Sequence, residues 1–168
     1  MITDFGRTRT GISIVSEGAV SFTSTVPIGG YSLTRAIAKE LGVSFEEAEK
    51  LKQKNGFVRT SENEKLFAVL MSTVSILRDE LIRHYNYWHA HPNVYGERQD
   101  PISKVVLCGG DSNLNGFSEF LALGLHSPVE LANVMQNVNS FDTYVPEMAF
   151  SDSLRYATAV GLALRRPK

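Results

Sequence analysis

The sequence predicts an α/β protein in which helices cover a mixed β-sheet. Two observations support this class: three consecutive β-type runs at the N-terminus, then helical periodicities that alternate with short apolar runs. The 168 residues suffice for one domain, or for a lobe with a small insertion. A hydrophobic content of 43%, a charged content of 21% and a net charge of −1 indicate a soluble globular domain. This charge balance argues against a surface for nucleic acid or anionic lipid.

The first third of the chain predicts a three-stranded antiparallel meander. Its runs are Met1–Phe5, Gly11–Ser16 and Ala19–Val26, and turn-forming residues lie between them.

Three helices are predicted next. The first covers Tyr31–Leu41 and ends at Gly42, a residue typical of the C′ position. Capping boxes at Ser44–Glu47 and Ser61–Glu64 open a short helix to about Gln53 and a long one to about Tyr87. The long helix carries an apolar stripe of Leu66, Leu70, Val74, Leu77, Leu81 and Tyr85.

The last third alternates between strands and helices. The predicted elements are a buried strand Lys104–Leu107, a helix Leu114–Leu123, a strand Pro128–Ala132, and a final helix capped by Ser151-Asp152. Small residues in that helix (Ala157, Ala159, Gly161, Ala163) favour tight packing, whereas residues 133–147 are predicted to be an irregular loop. Together the elements predict a ribonuclease-H-like half-fold with five strands.

The sequence also predicts a location in the cell. The single cysteine, Cys108, cannot form an internal disulfide, which fits a reducing compartment. No apolar run approaches the ~20 residues of a membrane span, and no signal peptide is visible at the N-terminus. We therefore expect a cytoplasmic protein without a direct membrane anchor.

A turn between the first two strands is a candidate phosphate site. Asp4 and Gly6 end the first strand, and the hydroxyl-bearing residues Thr8 and Thr10 follow. Gly6 permits a tight backbone whose amides face phosphate oxygens, and Asp4 is suited to hold Mg²⁺ through water. On spacing alone, an ordinary hairpin turn is favoured over this interpretation.

Two further motifs carry weaker signals. A buried strand leads through Gly109-Gly110 to a helix start, which lets a flat ring or an anion approach the backbone. Glu49 and Lys52 lie three residues apart on one helix face. Taken singly, these motifs are typical of a structural turn and of a solvated charged surface.

In combination, the three motifs resemble the second lobe of the actin, Hsp70 and FtsA superfamily, over essentially the whole chain. Gly29-Gly30 with Thr34 is similar to the glycine pair that enters the outer subdomain of that lobe. The resemblance implies ATP and Mg²⁺ as cofactors, a core subdomain at residues 1–29 and 61–168, and a helical outer subdomain at residues 30–60. It implies phosphate and magnesium contacts at Asp4, Gly6, Arg7, Thr8, Arg9 and Thr10, with Asp4 holding the metal through water. It implies ribose or adenine contacts at Gly30, Glu49, Lys52, Gly109, Gly110, Asp111 and Asn113.

Within that superfamily the chain most resembles PilM-like type IV pilus assembly proteins. The similar segments are Ser44–Lys52, Val129–Asn133 and Tyr156–Arg165. FtsA-like proteins resemble it here too, but they continue into a linker and a membrane-binding helix, whereas this sequence stops at Lys168.

The resemblance implies an ATP-binding lobe in the inner-membrane assembly platform of a type IV pilus or type II secretion system. Its partners would be a PilN-like peptide, bound by a first lobe that this sequence lacks, and other platform proteins. Homo-oligomers are possible, and the protein would reach the membrane periphery through its partners. No catalytic base is identifiable, so at most a slow ATPase is expected. The phosphate turn departs from the family pattern because Arg7 and Arg9 fill it. A nucleotide-free scaffold, an FtsA-like cell-division lobe and a small-molecule kinase lobe remain alternatives.

Overall fold

A computed structural model describes residues 1–93, 95–138 and 144–165, and the described residues form one mixed sheet of five strands. The strands are β1 (Ile2–Phe5), β2 (Thr10–Ser16), β3 (Ala19–Val26), β4 (Val105–Cys108) and β5 (Val129–Leu131). Their order is β3-β2-β1-β4-β5. The first three strands pair antiparallel, and β1–β4 and β4–β5 pair parallel. The predicted meander and mixed sheet are therefore confirmed.

Helices lie between and after these strands. Their bounds are α1 (Gly30–Leu41), α2 (Phe45–Asn55), α3 (Glu64–Ala90), α4 (Phe117–Ala122), α5 (Phe150–Ser153) and α6 (Ala157–Ala163). Short 3₁₀ turns at Gly110–Asn113 and Leu154–Tyr156 precede α4 and α6. The predicted loop 133–147 contains turns but no helix or strand at 133–138 and 144–147; residues 139–143 lie outside the described part, as do Arg166–Lys168.

Helix α3 supplies much of the core. Every residue of its predicted apolar stripe is buried, and Trp88 extends the stripe by one more turn. The stripe belongs to the same apolar cluster as Phe5, Ile12 and Leu107 of the sheet. A sheet face and a helix stripe that bury each other in this way are the main source of stability in a two-layer α/β packing.

Two of the predicted helix ends are confirmed and one is wrong. Gly42 takes a left-handed conformation (φ 67°) at the end of α1, and the Ser44 side chain accepts a hydrogen bond from the amide of Glu47. Ser61, however, does not cap α3. The residue before the helix is Asn63, whose side-chain amide group accepts from Thr60 and donates to the Val58 carbonyl. This local network closes the preceding loop, so α3 begins at Glu64.

The last two predicted helices also differ from the structure. Leu114 is extended and Gly116 is left-handed (φ 74°), so α4 begins only at Phe117. The final helix is preceded by Ala149 rather than capped by Ser151-Asp152, and a 3₁₀ turn divides it. Its small residues do not pack tightly against the described part of the chain, since no residue of α6 is buried.

Strand β3 forms one edge of the sheet. It is eight residues long and contains only alanine, valine, serine, threonine and phenylalanine. Most of its side chains are exposed, and Val20 is exposed on the same sheet face as its neighbour Val15. No helix among the described residues is long and apolar enough to cross a membrane.

Candidate functional site

A cavity of about 530 Å³ opens where the carboxyl ends of β1 and β4 meet. Because the two strands are parallel neighbours, their ends bring two separate turns together, as is usual for ligand sites in α/β sheets. Helix α2 and the turn between α5 and α6 complete the walls. The lining residues are Asp4, Gly6, Arg7, Tyr31, Phe45, Glu49, Lys52, Gln53, Gly109, Gly110, Asp111 and Arg155.

The two glycines after β4 serve different purposes. Gly109 has a φ of 90°, and a Cβ there would lie 2.6 Å from the Asp4 carboxylate and collide with the carbonyl of Phe5. Its lack of a side chain therefore lets the two strand ends approach each other. Gly110 has no positive φ, and a Cβ would meet only the Arg155 side chain, at 3.6 Å. Its bare backbone faces the cavity.

The turn between β1 and β2 leaves three amides free. The amide of Gly6 donates to the Arg9 carbonyl within the turn itself, so it does not point into the cavity. The amides of Arg7, Thr8 and Arg9 have no backbone acceptor in the described part of the chain. Thr8 and Arg9 are exposed, so solvent can accept hydrogen bonds from their amides.

The first amides of α1 are not available to a ligand, because carbonyl groups of the same turn accept their hydrogen bonds. The amide of Gly30 donates to the Gly6 carbonyl (3.0 Å), and that of Tyr31 donates to the Arg7 carbonyl (2.7 Å). Gly29 makes this approach possible, since a Cβ there would lie 2.6 Å from the Arg7 carbonyl. The helix N-terminus therefore holds the turn in place instead of attracting an anion.

Lys52 joins α2 to the turn after β4. Its side chain is 2% exposed, and its amine lies 2.7 Å from Asp111 Oδ1, 3.1 Å from Glu49 Oε1 and 3.4 Å from the Gly30 carbonyl. Gly30 leaves the space for this arrangement, because the Asp111 carboxylate occupies the position that a Cβ on Gly30 would need. Lys52 lines the cavity, but its amine is fully engaged in this cluster.

Glu49 is held as a carboxylate at the cavity wall. Burial acts to raise its pKa, but hydrogen bonds from Gln53, Thr34 and Lys52 together with the Lys52 charge outweigh burial, so the net pKa lies below the usual 4.5. Both carboxylate oxygens accept hydrogen bonds, Oε1 from Gln53 and Oε2 from the Thr34 hydroxyl. Since the side chain is still 39% exposed, it can accept a further donor from the cavity.

This pKa shift predicts an acid-sensitive contribution to stability. A lowered folded-state pKa stabilises the fold fully above the unfolded value of 4.5, and the contribution is lost as pH falls through the folded value. We expect Glu49→Gln to lower the melting temperature at neutral pH. As pH falls below 4.5, the difference in melting temperature between the variant and the unsubstituted chain should shrink. Thermal unfolding followed by circular dichroism measures this. Glu47→Gln controls for removal of a charge from the same helix, and a Glu49→Gln deficit that stays constant with pH would contradict the assignment.

Five residues that the resemblance placed in the site do not line the cavity. Thr8, Arg9 and Asn113 are exposed outside it. Thr10 is buried, and its hydroxyl donates to the Ile28 carbonyl at 2.7 Å, which anchors the segment that leads into α1. Gly30 is buried beneath the Asp111 carboxylate.

The sequence analysis did not predict four of the residues that line the cavity. Tyr31 and Phe45 form a tilted aromatic pair with ring centroids 5.1 Å apart, Gln53 bonds Glu49, and Arg155 enters from the turn before α6. Gln53 was foreseeable, because it lies one helical turn from Glu49. Arg155 was not, because only the tertiary fold brings it beside Gly110.

Cys108 lies beneath this site and takes no part in it. Burial, and then the charge of Asp4, raise the pKa of its thiol to about 12. The thiol therefore stays protonated at neutral pH and is a poor nucleophile.

Comparison with known proteins identifies the family. The family model of the type IV pilus assembly protein PilM matches residues 1–167. The chain belongs to the PilM family. The ethanolamine utilization protein EutJ of Escherichia coli K12 is 26% identical over 132 residues, which cover 76% of this chain and 41% of EutJ.

Solved structures show the same fold. A PilM–PilN type IV pilus biogenesis complex superposes with a TM-score of 0.77 at 21% identity, covering 97% of this chain and 44% of the matched chain. MreB 5 of Spiroplasma citri bound to AMPPNP gives 0.70 at 15% identity, covering 97% of this chain and 51% of MreB 5. The expected actin-like fold class is thus confirmed, and the chain spans about half the length of these relatives.

Proposed function

We propose that the cavity binds ATP with Mg²⁺, and that the chain is the nucleotide-binding lobe of an actin-like pilus or secretion platform component. The observation that carries this proposal is the convergence of a bare backbone at Gly110, the acceptor Glu49 and the charged residues Asp4 and Arg7 on one cavity. Its volume of about 530 Å³ falls within the ~300–1,000 Å³ typical of small-molecule sites. The MreB 5 structure, with the same fold, holds AMPPNP.

The nucleoside end fits the wall formed by α2 and Gly110. A flat base can approach the backbone of Gly110 because no side chain covers it. Glu49 is positioned to accept a hydrogen bond from a ribose hydroxyl. Tyr31 and Phe45 offer aromatic surface on the same side of the cavity.

The phosphate end fits the β1–β2 turn. Arg7 of this turn and Arg155 add two cationic residues to the lining. Asp4 is a hard oxygen ligand beside them, suited to hold Mg²⁺ through water. Arg7 would then complement the charge of the phosphates.

We assign Lys52 a positioning role instead of direct contact with the base. Its amine holds Asp111 and Glu49, and so sets the distance between α2 and the turn after β4. The sequence identifies no catalytic base, so we propose slow hydrolysis at most.

The role of the whole protein follows from its family. PilM is named for type IV pilus assembly, and the solved relative is a complex with PilN. We propose that the present lobe acts with a first lobe that binds a PilN-like peptide, in the cytoplasm at the inner membrane. Nucleotide bound between the lobes would favour a closed form and alter partner contacts.

Isothermal titration calorimetry with ATP and Mg²⁺ tests the site, with GTP as the competing nucleotide. We expect adenine-selective binding that Glu49→Ala or Gly110→Val weakens by about tenfold or more. Glu47→Ala, an exposed glutamate of the same helix, is the matched control and should bind normally. Unchanged binding in the Glu49 and Gly110 variants would show that the nucleotide lies elsewhere.

A nucleotide-free scaffold is the second candidate. The engagement of Lys52 with Asp111 favours it, because the amine is already paired with protein groups. Absence of heat from this chain and from a two-lobed protein that carries it would support the scaffold and overturn ATP binding.

A further inference from the structure

A second, larger cavity lies between α1 and α3 and shares Tyr31 with the main site. Its volume is about 710 Å³. Two rows of α1 residues, each spaced by four, form one wall, and Lys65, Ala68, Val69 and Ser72 of α3 form the other. At about 1.5 Å per helical residue, the α1 wall extends for roughly 12 Å from Tyr31 to Lys39. The cavity is therefore an elongated groove.

The groove concentrates positive charge on a chain whose net charge is −1. Arg35 and Lys39 lie on the α1 wall and Lys65 lies opposite, whereas Glu40 is the single acidic residue of the lining. All three cations are exposed, and none of them forms an ion pair within the described part of the chain. A negatively charged partner complements this surface.

The lining between the cations is uncharged and mostly apolar. Ala36 and Val69 are half-buried, and Pro27, Ala68 and Ser72 are exposed. Apolar side chains of a partner fit this lining, while acidic ones reach the cations. Because the backbones of α1 and α3 are satisfied within the helices, a partner must bind through side chains and not by adding a β-strand.

We propose that this groove docks an acidic amphipathic segment of a partner protein. A small anion is a poorer match, because the cations come from two helices and the lining between them is uncharged and mostly apolar. A bilayer or a nucleic acid duplex is also a poorer match, since the cations flank a cavity between two helices. The inference does not depend on ATP binding, since these cations are not among the residues of the nucleotide site.

The probe is a short fluorescein-labelled peptide of glutamate, leucine and alanine, patterned as an amphipathic helix and titrated without nucleotide. Anisotropy measures its affinity, and amide shifts in a ¹⁵N-labelled chain locate it. We expect shifts in α1 and the first half of α3. Arg35→Glu/Lys39→Glu/Lys65→Glu should weaken binding roughly tenfold or more. A lysine version of the peptide should not bind.

The matched control is Lys50→Glu/Lys54→Glu/Arg98→Glu, which changes the net charge equally at exposed positions outside the groove. It should retain most of the affinity. Equal weakening by both triple variants, or amide shifts elsewhere, would overturn the proposal by showing non-specific charge attraction. Anionic vesicles or duplex DNA that shift the groove amides when the peptide does not would also overturn it, in favour of a membrane or nucleic acid surface.

Discussion

Gly109→Ala is expected to lower the free energy of unfolding by about 4 kcal/mol. Two costs add. A φ of 90° is unfavourable for an L-residue with a side chain, and the new methyl group would collide with the Phe5 carbonyl and the Asp4 carboxylate. The Phe5 carbonyl belongs to β1, which pairs with both β2 and β4, so it cannot move away without disturbing the centre of the sheet. Urea denaturation followed by circular dichroism measures the loss.

The adjacent glycine supplies the control for this prediction. Gly110→Ala places its methyl group at an ordinary 3.6 Å from Arg155 and needs no unusual backbone. It should change the free energy of unfolding by no more than about 1 kcal/mol, and it should lower the affinity for any ligand that lies against that backbone. If the two alanine variants were equally unstable, the distinction between a strand-packing glycine and a cavity-facing glycine would be wrong.

Lys52→Met is expected to lower the free energy of unfolding by about 3 kcal/mol. Methionine keeps the length of the side chain but removes the charge, which leaves Asp111 and Glu49 facing each other without their shared cation. Asp111 is mostly buried, so water cannot replace the lost amine well. The loss should be accompanied by weaker ATP binding, because the two walls of the cavity are no longer held together.

Two further variants separate charge from packing. Lys50→Met, at an exposed position of the same helix, should change stability little. Lys52→Met/Asp111→Asn removes a buried carboxylate together with its cation, so it should be less destabilised than the sum of the two single changes. If the loss of stability in the double variant equalled the sum of the losses from Lys52→Met and Asp111→Asn, Lys52 would act through packing alone.

Most of the fold could be predicted because local and tertiary preferences agree. The stripe on α3 is apolar at helical spacing, and the core buries all of it. Gly42 can end α1 because a left-handed residue is needed there. Ser61 failed as a cap because the loop before α3 is closed by Asn63, and a sequence pattern cannot rank two competing polar side chains.

The sequence identified many of the residues near the cavity, but not what their side chains contact. The resemblance placed Lys52 against the ligand, yet its side chain is 2% exposed and its amine is bound to Asp111. That partner lies 59 positions further along the chain, so no helical spacing reveals it. Thr10 was expected at the phosphates, but the sheet turns its hydroxyl toward Ile28 instead.

The uncharged edge of β3 bears on how this chain behaves in concentrated solution. Natural sheets usually protect an edge with lysine, proline or a covering segment, and the eight residues Ala19–Val26 include neither lysine nor proline. Strands of two copies can therefore align edge to edge and continue the sheet from one molecule into the next. A high local concentration would favour such contacts, and a single lysine at the exposed Val20 position would oppose them by charge repulsion.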